Sequence, residues 1–100
     1  MTLDVRKGDT VQLNLKITNN GEPFTPDGEK IVFSVGRTSS PIFSVEAEDN
    51  VVKIPHEKTR NLASGDYKFD VRIYDANKTL VATPIVGVFR VLEVVNVDLL

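Results

Sequence analysis

The chain has 100 residues, 12 of them basic and 14 acidic, with a formal net charge of -2, 41% hydrophobic and 26% charged residues. Such values fit one globular domain burying roughly two-thirds of its unfolded surface, and they argue against a disordered chain. No basic block marks a nucleic-acid or anionic-membrane surface, and the lack of cysteine excludes disulfides, thiol catalysis and cysteine-held zinc or iron–sulfur sites.

The opening MTLDVRKGDT has no apolar core after a basic start, so no signal peptide is expected and synthesis in the cytoplasm is. Within it, Thr2 to Arg6 predicts a short strand before the turn Lys7-Gly8-Asp9. From Thr10 to Thr18 the period is two, with Val11, Leu13, Leu15 and Ile17 on one face and Gln12, Asn14 and Lys16 on the other. NNGEP and PDGE supply turn chemistry before Lys30 to Gly36, where Ile31, Phe33 and Val35 share a face. Ile42 to Ala47 and Val51 to Ile54 flank Glu48-Asp49-Asn50 and read as a hairpin. HEKTRNLA predicts a single helical turn or a loop.

The cleanest alternation follows in Asp66 to Tyr74: Tyr67, Phe69, Val71 and Ile73 face inward, and Lys68, Asp70 and Arg72 face water. After the turn DANK, Leu80 to Val94 puts Ile85, Gly87, Phe89 and Val91 on one face. Its other face, Val86, Val88, Arg90 and Leu92, is still largely apolar, which suits a central or covered strand. Gly87 inside that strand predicts a bulge or the close approach of a backbone or large ring. The run LVATPIVGVF is too short to span a bilayer. Residues 1–100 read as one domain, its apolar tail 95–100 docking on something or leading into a longer chain.

About seven short strands with almost no helix predict an all-β, antiparallel sandwich of immunoglobulin-like type without a disulfide. Tyr67 lies two residues before Phe69 and follows Ser64-Gly65. In immunoglobulin-like sandwiches a tyrosine so placed bonds its hydroxyl to upstream backbone, and the position two residues on holds a cysteine. Here Phe69 with Leu13 or Leu15 is expected to fill that space, with Phe33 near the usual tryptophan. The plainer alternative for Tyr67 is a core-face aromatic with no such bond.

Chemistry-bearing residues are sparse. His56 stands beside a proline and two charged residues with no nucleophile elbow around it, so a solvated loop histidine is expected. Glu46, Glu48 and Asp49 offer oxygen donors for calcium, but their spacing matches no recognised loop, and a solvated hairpin tip is the stronger reading. The glycines form no phosphate loop. Phe24, Phe43 and Tyr74 are the candidate sugar-stacking aromatics, Phe24 having the alternative of folding over the sandwich edge. This inventory suits no enzyme and calls for no cofactor.

RKGDTVQLNLKI, NNGEPF, DGEKIVFSV, LASGDYKFDVRIYD and VGVFRVLEVV follow one another in this order. Through Gly8-Asp9-Thr10, Asp27-Gly28, Gly65-Asp66-Tyr67 and the strand from Gly87 to Val91, nearly the whole chain resembles the immunoglobulin-like N-terminal domain of phage baseplate upper proteins of Gram-positive siphophages and prophages. The resemblance implies a non-catalytic virion module that anchors to tail or baseplate proteins, without nucleic acid or membrane. Homo-oligomers are compatible with it. Candidate interface residues are Val86, Val88, Leu92, Val94, Val95, Val97 and Leu99, which in the alternative are covered within the monomer. The competing functional class is a glycan-binding or adhesin-type sandwich using Phe24 and Tyr74.

Overall fold

The computed structural model describes residues 1–19, 21–24, 26–37 and 40–93. Among them run β1 (Thr2–Arg6), β2 (Val11–Asn14), β3 (Thr18–Asn19), β4 (Glu22–Pro23), β5 (Lys30–Gly36), β6 (Pro41–Glu46), β7 (Val51–Ile54), α1 (His56–Arg60), β8 (Gly65–Tyr74) and β9 (Leu80–Leu92). A five-stranded sheet has the order β1-β9-β8-β5-β6, β2 pairs with β7 in a second sheet, and β3 with β4 forms a small hairpin. The result is an all-β, sandwich-like domain without a disulfide, its core assembled from the inward faces of both larger sheets.

The period-two pattern explains that core. Ile31, Phe33 and Val35 on β5, Tyr67, Phe69, Val71 and Ile73 on β8, and Phe89 and Val91 on β9 are all buried. From the facing sheet come Val52 and Ile54 of β7, with Leu13 half-buried against the cluster. Phe33 is the centre of an aromatic group: it stacks on Phe69 at 5.3 Å between ring centroids and meets Phe89 edge-on at 6.2 Å. Phe43 meets Phe89 edge-on at 6.4 Å.

Three expectations change. The first strand is not antiparallel to its neighbour: β1 runs parallel to β9, with Thr2 beside Val88 and Arg6 beside Leu92. The expected hairpin around Glu48-Asp49-Asn50 is only a tip. Asp49 and Asn50 both have positive φ, 52° and 63°, and Glu48 and Val51 exchange two backbone hydrogen bonds. Beyond this bridge β6 joins β5 and β7 joins β2, so the turn passes the chain from one sheet to the other. The strand expected from Thr10 to Thr18 ends at Asn14; Leu15 N–H then donates to Asn50 C=O at 2.8 Å, and the chain turns into the β3–β4 hairpin.

Two corners fix the ends of β8. The Tyr67 hydroxyl donates to the Ala63 carbonyl at 2.7 Å, the tyrosine corner of immunoglobulin-like sandwiches. The Arg37 guanidinium lies over the same ring at 4.7 Å from its centroid. At the other end Asp75 Oδ1 accepts from the backbone N–H of Asn77 and of Thr79, both at 2.9 Å, shaping the turn into β9. HEKTR does form one helical turn, held by Thr59, whose buried hydroxyl donates to the Asp9 carbonyl at 2.7 Å.

Candidate functional site

The outward face of the five-stranded sheet is the surface on which side chains of four strands converge. Cross-strand registers set its rows. Ser44 of β6, Ser34 of β5, Asp70 of β8 and Val86 of β9 form one, and Lys68 beside Val88 the next. Between them lies an open concavity of about 610 Å³, lined by Val32, Ser34, Asp70, Arg72, Tyr74 and Val86 among others.

The face is charged along β8, its middle strand, and apolar to either side, at Val86 and Val88 of β9 and at Ile42 of β6. Val86 is 65% exposed and Ile42 50%, while Val88 is half-buried beside β1. The Ser34 and Ser44 hydroxyls are hydrogen-bonded at 2.8 Å. Arg72 Nε donates to Asp70 Oδ2 at 3.1 Å. A hydrogen bond to Tyr74, then the nearby Asp70 charge, hold the Arg72 guanidinium further into its charged form than usual. Asp70 Oδ1 is covered and has no hydrogen-bond partner. At the β1 end, Arg90 Nε donates to Asp66 Oδ1 at 2.8 Å, and Asp4 Oδ1 lies 4.0 Å from Arg90. That hydrogen bond, opposed by a little desolvation, puts the Asp66 carboxyl below its ordinary value of 3.8.

The expected interface residues separate on this surface. Val86 and Val88 border the concavity, and Leu92 is half-buried beside Arg6 of β1. Val94, Val95, Val97 and Leu99 lie outside the described residues. The candidate aromatics do not share a face. Tyr74 is half-buried at one end of the concavity, whereas Phe24 packs against the core and its carbonyl accepts from Asn50 Nδ2 at 2.9 Å. Phe43, expected as a possible exposed ring, is buried on the inner side of β6 with only 8% exposure.

His56 is half-exposed at the start of α1, 3.5 Å from Glu57, which is a solvated arrangement. Among the described residues no three or more His, Cys, Asp or Glu side chains gather closely enough to hold a metal ion, Glu46, Glu48 and Asp49 included. No helix among the described residues is long and apolar enough to cross a membrane. Sequence reasoning assigned Lys68, Asp70 and Arg72 to solvent and gave them no task. Their alternating charge at period two was the available signal. Set against protein-family models, curated proteins and solved structures, the chain matches none.

Proposed function

We propose that this chain is a non-catalytic structural module that works by protein–protein contact through the outward face of the five-stranded sheet. The observation that carries this reading is the pair of exposed apolar residues, Val86 and Ile42, that flank the charged row of β8 on one concave sheet face, because exposed apolar surface beside charge marks an interaction site. The resemblance to phage baseplate upper proteins supplies the setting: assembly into the tail or baseplate of a virion after synthesis in the host cytoplasm. Binding of the chain to purified tail and baseplate proteins, measured by biolayer interferometry, is the direct test. Val86→Asp should weaken that binding at least about tenfold, because it places an uncompensated charge in the apolar part of that face. The glycan-binding alternative rests on Tyr74 beside Arg72 and the serine hydroxyls. Sugar-specific binding on a glycan array that disappears with Tyr74→Ala would overturn the proposal.

A further inference from the structure

The outward residues of β8 alternate in charge: Asp66, Lys68, Asp70 and Arg72 run negative, positive, negative, positive along one face. This order is its own complement when reversed. A two-fold axis lying across the strands above Phe69 exchanges position 66 with 72 and position 68 with 70. Every charge then meets its opposite.

We propose that this face is a homodimer interface, in which two copies pack sheet against sheet with antiparallel β8 strands and Lys68 of each copy meets Asp70 of the other. The proposal rests on the reading of this face as a protein interface and names its partner as a second copy of the chain.

Two observations besides the charge order favour that partner. Lys68 is exposed and has no ion-pair partner among the described residues. Asp70 is one carboxylate oxygen short of a partner, with its side chain 24% exposed. A carboxylate's terminal torsion is broad, so a turn of that group brings Oδ1 toward an incoming ammonium, in exchange for loosening the Arg72 bond to Oδ2. The apolar strip obeys the same operator. Val88 is the cross-strand neighbour of Lys68 and Val86 that of Asp70, so the axis also sets Val86 against Val88 of the second copy.

The size is adequate. Five strands about 4.8 Å apart, from five to 13 residues long and averaging about eight at about 3.3 Å each, give a face on the order of 600 Å², near the ~800 Å² per partner of a standard interface. Two twisted sheets stack in this way at about 30°.

The competing surface is the outer edge of β9. β1 covers β9 only from Val88 to Leu92, leaving Leu80 to Gly87 without a strand on that side among the described residues. That edge is blunted. Pro84 offers no N–H, and the β8–β9 register shifts twice between Val71 and Tyr74. Strand addition there is disfavoured, so the face carries the proposal.

Sedimentation equilibrium of the 100-residue chain tests it, with far-UV circular dichroism confirming the fold of each variant. The wild-type chain should be a dimer whose dissociation constant rises with salt. Lys68→Glu sets carboxylate against carboxylate twice in the dimer, and Asp70→Lys sets ammonium against ammonium. Each variant alone should dimerise at least about tenfold more weakly. Mixed in equal amounts, the two should recover a heterodimer, because every facing pair is again of opposite sign. A chain that stays monomeric up to about a millimolar overturns the proposal. So does a Lys68→Glu dimer of unchanged affinity, or folded variants that fail to associate when mixed. A monomeric wild type that still binds baseplate proteins would sink the dimer and leave the proposed function standing.

Discussion

The two faces of β8 differ in what they hold and in what they tolerate. Inward, Tyr67, Phe69, Val71 and Ile73 are buried one after another; outward, Asp66, Lys68, Asp70 and Arg72 alternate in charge at the surface. The inner four are constrained by the volume left to them by Phe33, Phe89 and the facing sheet, so any change of size there is felt. The outer four are constrained only by sign, and a change there should alter association and pH response while leaving the fold intact. One strand thus carries two separable sets of instructions, interleaved at period two.

The largest break in this comparison comes from the inner side. Phe33 is fully buried and touches both Phe69 and Phe89 through its ring. Phe33→Ala removes that ring from the centre of the aromatic group and leaves a cavity, and should lower unfolding free energy by about 3–5 kcal/mol in urea titration. A loss under about 1 kcal/mol would mean that the aromatic group is not the centre of the core.

Gly87 tests the opposite error, too much volume. A β-carbon there would sit 2.6 Å from the Phe69 ring and also press on the Met1 carbonyl oxygen. That carbonyl accepts from Val88 N–H at 2.9 Å, so Gly87→Ala must turn the ring or loosen the start of β1. A loss of about 1–3 kcal/mol is expected, with faster amide exchange at Val88 as the sign that β1 moved. Of the two readings of this glycine made from the sequence, the close approach holds, with a backbone and a ring at once, while the β8–β9 irregularities lie elsewhere, between Val71 and Tyr74.

Much of this was legible because alternation reports which side of a strand is buried. Thr2–Arg6, Lys30–Gly36 and Val51–Ile54 are strands with the ends expected of them, and the inner face of β8 is as read. Alternation does not say which strand is the neighbour, so neither the parallel β1–β9 pair nor the parting of β6 and β7 was visible. In PIFSVE the two faces were equally apolar at Ile42 and Phe43, and only packing decides that Phe43 is the buried one. Thr59 had no signal at all. It is buried because the carbonyl of Asp9, fifty positions earlier, meets its hydroxyl. The outward face lacked a motif for a similar reason: its rows are made of residues from four strands, which only the registers bring together.

Tyr67 belongs to both sides of the comparison, with its ring in the core and its hydroxyl reaching out to Ala63 C=O. Tyr67→Phe keeps the ring and deletes that bond together with the longer one the hydroxyl accepts from Arg37 Nη2 at 3.4 Å, and Ala63 is exposed enough for water to replace the lost donor. The cost in thermal or urea unfolding should be about 0.5–1.5 kcal/mol, well below that of Phe33→Ala. No measurable change would show that the corner contributes nothing beyond the ring.

The smallest effect belongs to the outer face and is read through pH. Asp66 is exposed, and its hydrogen bond from Arg90 puts its carboxyl below the ordinary value of 3.8. A carboxyl depressed on folding favours the folded state at every pH above its unfolded value, and that contribution disappears as pH falls through the folded one. Stability of the wild-type chain should therefore fall on acidification through and below 3.8, and part of that fall should be missing in Asp66→Asn. Because the pair lies in water, the difference should be small and should shrink as salt is added. Melting temperatures of both chains between about pH 6 and pH 2, at low and high salt, resolve it. Parallel curves would mean that the Arg90 hydrogen bond adds nothing to folding. In that case the negative end of the β8 charge series has its consequence only in association, where Asp66 would face Arg72 of a second copy.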